Sequence, residues 1–374
     1  MLSCTGEVYV SRNTKLYARY PNLVTADKIT SKMPEENRKK RVSSKRRYRT
    51  DEIPVYLEAL NKIDDYVRSV CNIDMEQLYT PNPLQVSSTT ASSWAENKFQ
   101  FEQLPLDVDV SVPQERKKRK REQVTNMMTF VIPFLFDGCI VCDFASGSGH
   151  QSIPLAYHFP NCKFILVDMK ARSLQIAKER TTRLNLTNIS FVHDRIENFH
   201  GKFDVGISLH ACGAATDLAL LKCIRQSAAY VTCPCCIGKV VLKNDRYKNN
   251  VQTCEKDRVH YPRSVIFNAA LKKEEYNKLA KAADFGHGGT DKTNIGKDMP
   301  YRRRAEESNF ATRVDTSRRK CKSMIELDRQ LFAQSHGYKT WMFTLFPKSC
   351  TPKNDLLIGA CNPQAIERFK KFLI

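Results

Sequence analysis

Val141-Cys-Asp-Phe-Ala-Ser-Gly-Ser-Gly-His150 is the stretch that decides how this chain is read. An apolar run ends in a carboxylate, Asp143, and is followed at once by Ala145, Gly147 and Gly149. Glycines at the carboxyl end of a strand let the backbone turn sharply and approach a ligand closely. The helix start that follows offers unpaired N–H groups. Roughly 20 residues on, the apolar run KFILV (Lys163 to Val167) ends in Asp168, where a carboxylate grips a ribose diol in nucleotide-binding folds. The alternative for Asp168 is a plain strand-end cap.

Working outward, the pattern is regular. Val124 to Phe136 reads as a helix ending near Pro133, Cys139 to Ala145 as a strand, and Gln151 to His158 as a helix that tolerates Pro154 only in its first turn. Ser173 to Leu184 is an amphipathic helix, and Ile189 to Val192 and Phe203 to Leu209 are strands. Thr216 to Ile224 is a helix with Thr216 as its N-cap, and Ala229 to Thr232 is a strand. Short strands that are apolar on both faces call for a mostly parallel sheet covered by helices. After an irregular basic insert, Asp284 to Lys320, the chain gives a helix at Ile325 to Ser335 and strands at Thr340 to Phe346 and Leu356 to Ala360. The expected architecture is a seven-stranded, mostly parallel, Rossmann-like α/β sheet over residues 123–374, the class I S-adenosylmethionine-dependent methyltransferase fold.

Two nucleotide ligands suit a glycine loop of this kind. A dinucleotide fingerprint needs Gly or Ala three positions after the second glycine, and Ser152 stands there. A carboxylate at Asp143 would repel a pyrophosphate but suits the amino group of a methionine moiety. The reading is therefore S-adenosylmethionine, with Asp143, Ala145, Gly147, Gly149 and Asp168 as cofactor-binding residues. Asp194, after the third strand, is placed to meet an adenine amino group, or is a surface-loop residue. His210, after the fourth strand, is placed to touch cofactor or acceptor and to act as general base, or holds its own loop by hydrogen bonding. Asp217 is read as structural first, with orienting the loop or His210 as the alternative. Cys233 and Cys236 have the spacing of half a zinc site, whose second half could come from Cys212 or a distant Cys or His, but no second such pair exists, so pocket-lining cysteines are preferred and no metal is expected.

Composition adds a partner. The chain has 374 residues, 60 Lys and Arg against 40 Asp and Glu, and a net charge of +20. That surplus favours a polyanion, RNA first, or reflects a basic arm that only adds solubility or targeting. The basic runs lie at 38–49, 116–121 and 302–320; the second also fits a nuclear-localisation signal. No signal peptide or membrane span is read, so the 14 cysteines are expected to be reduced in a cytoplasmic protein, with a nuclear location also open. Residues 1–122 read as a basic, partly disordered region with a short helix over Val55 to Val70 and a linker over Thr80 to Ser93.

The strings DFASGSGH (Asp143 to His150), LHACGAATD (Leu209 to Asp217), CPCC (Cys233 to Cys236), YPRS (Tyr261 to Ser264), the LDR within Ile325 to Arg329, HGY (His336 to Tyr338) and SCTPKND (Ser349 to Asp355) occur in this order. From about Arg116 onward the chain thereby resembles the methyltransferase part of the glutathione S-transferase C-terminal domain-containing proteins. The LHACGAATD string gives a looser likeness to tRNA acceptor-stem 2′-O-methyltransferases. The resemblance implies a class I methyltransferase fold and a cytoplasmic protein, and little about the substrate; the leading reading of the chain as a whole is methyl transfer to RNA such as tRNA. A protein or small-molecule acceptor, or a non-catalytic module that kept the fold, are the alternatives. The region before Gln123 is too small for a glutathione S-transferase-like domain, so glutathione binding is not expected.

Overall fold

The computed structural model describes residues 53–85, 114–237, 259–284 and 301–374. The basic run at 38–49 lies outside these residues. Ile53–Cys71 forms the first described helix, α1, and Gln114–Val131 the second, α2. Then Ile140–Phe144 (β1), Ser152–His158 (α3), Lys163–Asp168 (β2), Ala171–Arg183 (α4) and Ile189–His193 (β3) follow. Val205–Leu209 (β4), Ala214–Arg225 (α5) and Ala229–Cys233 (β5) complete the parallel part. Val265–Ala270 (α6), Lys273–Ala282 (α7), Tyr301–Gln334 (α8), Lys339–Thr344 (β6), Asp355–Ala360 (β7) and Pro363–Leu373 (α9) close the chain.

The strand order is β3-β2-β1-β4-β5-β7-β6. The first five strands are parallel, while β7 runs antiparallel to both β5 and β6. This order with one reversed strand is the class I methyltransferase fold. The chain starts in the middle of the sheet and reverses its direction of winding between β1 and β4, and ligands of open α/β sheets bind at the strand carboxyl ends beside such a switch. β4, β5 and β7 are buried along their whole length, which fits apolar runs covered on both faces. One face packs on α2 and α9 through Met127, Phe130, Phe134 and Phe369, with Phe134 and Phe369 stacked at 5.1 Å. The other packs through Phe144, Phe203, Tyr230 and Tyr338.

The structure corrects several expectations and meets those for Pro133 and Pro154. The run at 116–121 is inside α2, which begins at Gln114, so the break placed between residues 122 and 123 falls within a helix. Pro133 sits in a 3-10 turn, Ile132–Phe134, directly after α2, where its missing N–H does no harm. Pro154 is the third residue of α3. Thr216 is not an N-cap: Gly213, at φ +62°, takes that place, and the Thr216 hydroxyl donates to Ala211 O at 2.6 Å from within the helix. Part of the expected irregular insert is α8, a 34-residue helix. Its buried stripe, Cys321, Met324, Ile325 and Asp328, is interleaved with buried charged residues that disguise it in sequence. Residues 80–85 are packed rather than a linker: Thr80 N donates to Met342 O at 2.8 Å, and Asn82 Nδ2 donates to Asn126 Oδ1 at 2.9 Å and Thr344 O at 2.8 Å. Pro54 to Ile374 form one unit. Helix α9 was not expected from sequence; Asn362 caps it by accepting from Gln364 N and Ala365 N.

Candidate cofactor and acceptor site

The glycine loop leaves β1 through left-handed backbone. Ala145 has φ +56°, Gly147 +58° and Gly149 +75°. For Ala145 this conformation is disfavoured by about 1–2 kcal/mol, and such strain concentrates where a chain is held for function. The two glycines differ in purpose. A Cβ at Gly147 would meet nothing within 4 Å, so that position opens outward. A Cβ at Gly149 would lie 2.9 Å from Ile153 Cδ1 and 3.1 Å from Leu166 Cδ2, so the bare backbone lets the loop seat on α3 and β2.

Both expected carboxylates are engaged in building this loop. Asp168 Oδ2 accepts from Gly147 N at 2.8 Å, and its Oδ1 accepts from Lys170 N at 2.8 Å. Asp168 thus ties the loop to the end of β2; each oxygen keeps a second lone pair for a hydroxyl. Asp143 is buried beneath the loop, where Oδ1 accepts from Gln151 Nε2 and Oδ2 from Ser152 Oγ, each at 2.5 Å. Burial raises its carboxyl to about 7. Asp143 is therefore a support under the loop rather than an open grip for an amino group. Two buried atoms next to it, Ser146 Oγ and Gln151 Oε1, have no hydrogen-bond partner. An unmet buried polar atom costs about 1–3 kcal/mol, so this pair fits a polar ligand lying over the loop.

Cations surround the loop. Arg180 of α4, itself buried, donates from Nη1 to Ser148 O at 2.9 Å and lies 3.4 Å from His150 Nε2. His150 is lowered to about 3 by burial and by Lys120 and Arg180. Lys120, half-buried on α2, is lowered by its own burial and raised by Asp143. Lys120 therefore belongs to the cleft, whereas Arg116, Lys118 and Arg119 of the same basic run are exposed.

His210 stands at the end of β4 with φ +66°, a second strained residue beside the same switch point. Its Nε2 is 2.8 Å from Gln123 Oε1, and Gln123 Nε2 donates to Cys350 O at 2.8 Å. The Gln123 amide is thereby oriented with its oxygen toward the ring, so His210 carries its proton on Nε2 and its basic lone pair on Nδ1. Burial, then Lys120, lowers the ring to about 4, leaving it neutral near pH 7. Asp194 Oδ1 accepts from Arg195 N at 2.7 Å and from Asn198 Nδ2 at 2.8 Å, which caps the turn after β3. These bonds, Asn198 first, hold its carboxyl below the usual range.

Asp217 does not orient His210. It is fully buried and receives Arg329 Nε at 3.0 Å, Arg329 Nη2 at 2.8 Å and Tyr261 OH at 2.8 Å. Arg329 continues to Glu326 at 2.8 Å, and Glu326 to Lys322 at 2.7 Å. Lys322 and Arg319 both pair with Asp355, which also accepts from Tyr79 OH at 2.5 Å. Asp328 accepts from Arg263 N, Ser264 N and Tyr276 OH. The strings LHACGAATD, YPRS, LDR and SCTPKND thus contribute to one buried polar network behind the sheet. The cysteine expectation also changes. Cys233 points toward Lys353 O at 4.0 Å, whereas Cys212, Cys235 and Cys236 come together.

Lys120, Gln123, His150 and Arg180 were missed in the sequence. Gln123 lies 87 residues from His210, and no local spacing signals such a pairing. Met169, directly after Asp168, carried one faint signal: a large apolar side chain in a loop, here 64% exposed at the end of β2.

Comparison with known proteins agrees with the fold. Residues 135–283 match the family described as "Methyltransferase domain". A glutathione S-transferase C-terminal domain-containing protein of Xenopus laevis is 33% identical over 277 residues, 73% of this chain and 39% of that protein. The homolog of Drosophila melanogaster is 34% identical over 279 residues, 74% of this chain and 43% of that one. A ribosomal RNA small subunit methyltransferase G of Oceanobacillus iheyensis is 41% identical over 59 residues, 16% of this chain and 25% of that one. The chain spans about two fifths of the length of the first two relatives. Across the region it shares with them, which includes the methyltransferase domain, this chain belongs to the family of the glutathione S-transferase C-terminal domain-containing proteins.

Proposed function

We propose that this chain transfers a methyl group from S-adenosylmethionine to RNA, with tRNA as the acceptor class. The observation that carries the reading is the cradle between β1 and β2: left-handed backbone at Ala145, Gly147 and Gly149, Asp168 anchoring it, and the unmet Ser146 Oγ and Gln151 Oε1 beside it. S-adenosylmethionine, when bound, supplies an activated methyl on a sulfonium. Gly147 admits its methionine end, Gly149 keeps the loop seated, and Asp168 offers its remaining lone pairs to ribose. Asp143 holds the loop through Gln151 and Ser152, while Met169 and Asp194 border the adenine. His210 faces the acceptor with Nδ1. At a basicity this depressed, its main task is to orient the acceptor by a hydrogen bond, with proton removal second.

The acceptor class rests on charge. Exposed Arg116, Lys118 and Arg119 occupy the first turns of the helix that delivers Lys120 and Gln123 to the cleft. A phosphate backbone lying along them would lead to the site. The relative from Oceanobacillus, by its name a ribosomal RNA methyltransferase, supports the same class.

Calorimetry with S-adenosylhomocysteine tests the cofactor. Wild type binds, and Asp168→Ala weakens binding by about 1.5–3 kcal/mol. Heat with NAD and none with S-adenosylhomocysteine would overturn the reading. For the acceptor, filter binding of tRNA over a salt series compares wild type with a variant carrying Gln at 116, 118 and 119, sparing Lys120. Weaker binding and a flatter salt slope are expected; superimposable curves would move the acceptor to a protein or a small molecule.

A further inference from the structure

The loops after β4 and β5 are laced together by main-chain bonds: His210 N donates to Cys233 O at 3.1 Å, and Gly213 N to Cys236 O at 2.7 Å. This lacing brings three thiols to one point. Cys212 Sγ lies 3.1 Å from Cys235 Sγ and 3.4 Å from Cys236 Sγ, and the last two are 3.6 Å apart. None of the three forms a disulfide. Zinc–thiolate bonds of roughly 2.3 Å in a tetrahedron put sulfurs about 3.8 Å apart. The triangle is thus slightly smaller than a zinc face and reaches it by small rotations about χ1. Cys236 is buried, Cys235 half-buried and Cys212 exposed, so an ion can enter from solvent.

We propose that Cys212, Cys235 and Cys236 bind a thiophilic divalent cation of the zinc class. Among the described residues no fourth His, Cys, Asp or Glu joins this group. Three protein ligands with one open position is the zinc arrangement that takes a water or a substrate atom. The ion would join the loop that begins with His210 to the loop after β5. Thiolate rather than thiol ligates such an ion, so binding releases protons and occupancy falls in acid. The site runs across the C-x-x-C pair expected from sequence: Cys233 is outside it. The inference stands whether or not the methyl acceptor is RNA.

The test uses the full chain, purified under reducing conditions. Elemental analysis should find one zinc per chain. After chelation, cobalt titration of wild type should give thiolate-to-cobalt absorption that zinc abolishes. Cys212→Ser, Cys235→Ser and Cys236→Ser should each weaken zinc by more than the roughly 10–100-fold that loss of an outer-shell partner brings. Cys233→Ser should keep its metal. The cobalt spectrum of wild type needs no variant to fold. Reduced wild type with neither zinc nor a cobalt–thiolate band would overturn the proposal. So would a Cys233→Ser protein that loses metal as fully as Cys236→Ser, or a Cys212 disulfide in the protein kept under reductant.

Discussion

Asp168 and Asp217 are both buried carboxylates in the same sheet domain, yet they are held in opposite ways. Asp168 accepts two backbone N–H groups, one of them two residues away. Asp217 is clamped by a bidentate guanidinium 112 residues along the chain. The first arrangement shapes a loop and leaves lone pairs for a ligand. The second balances a buried charge against another and extends through Glu326, Lys322 and Asp355 to Tyr79. One region is built to meet something from outside; the other is closed on itself. The strings that carry the family resemblance divide between them, since DFASGSGH makes the loop and YPRS and LDR make the network. Similarity in sequence thus reports the internal scaffold as much as the chemistry.

The sharpest way to break this contrast is to remove one partner from the closed region. Arg329→Met takes from Asp217 its bidentate partner and from Glu326 one of its two cations, and should destabilise the chain by about 3–5 kcal/mol in urea denaturation. The exposed pair between Lys62 and Glu275 is the control: Lys62→Met should change stability by at most about 1 kcal/mol. A loss at Arg329 as small as that of the control would show that the network is not committed to charge balance.

The open region predicts a smaller and split effect. Gly149→Ala adds a Cβ against Ile153 and Leu166 as well as backbone strain, and should destabilise by about 2–4 kcal/mol. Gly147→Ala adds strain alone, about 1–2 kcal/mol, because its Cβ meets nothing. Affinity for S-adenosylhomocysteine, measured at equal folded fraction, should nevertheless fall more for Gly147→Ala, since in the proposed site that open position faces the ligand. Equal affinity losses would merge the two roles.

The smallest expected effect is pH dependence. His150 and His210 are lowered, chiefly by burial, to about 3 and about 4. Between about pH 4 and 6.5 the unfolded chain therefore binds two histidine protons that the native chain refuses. Asp143, raised by burial to about 7, works the other way, since the native chain keeps a proton there that the unfolded chain has lost. The net difference is one proton more in the unfolded state. From these groups stability should rise with pH across that window by up to about 1.4 kcal/mol per unit. His210→Gln removes one of the two histidine terms and should flatten their joint contribution. Denaturant midpoints for both proteins at several pH values decide it; an unchanged slope would deny that His210 is held neutral.

Much of the first region could be read directly. An apolar run, a left-handed turn and a carboxylate after the next run are local patterns, and residues 141–168 impose them with little help from elsewhere. The network could not be read this way. Its acids and bases are scattered along the chain, with only Arg319 in the expected basic insert; a charged residue declares its burial only through a partner, and Arg329 finds Asp217 only after α5 and α8 have packed. Lys120 shows the same limit on a smaller scale: it is one cation in a run of six, half-buried by its phase on α2 while Arg116, Lys118 and Arg119 face water.

The amino-acid sequence by itself determined the strands, the glycine loop and the carboxylate that anchors it, because hydrophobic period and glycine's freedom of φ act over a few residues. Tertiary structure alone decided that Gln123 orients His210 and that Asp143 supports the loop from below. It also decided that Cys212 replaces Cys233 beside Cys236. Each of these pairings is made by packing helices onto a sheet whose strand order departs from chain order, and no spacing along the chain measures the resulting distance.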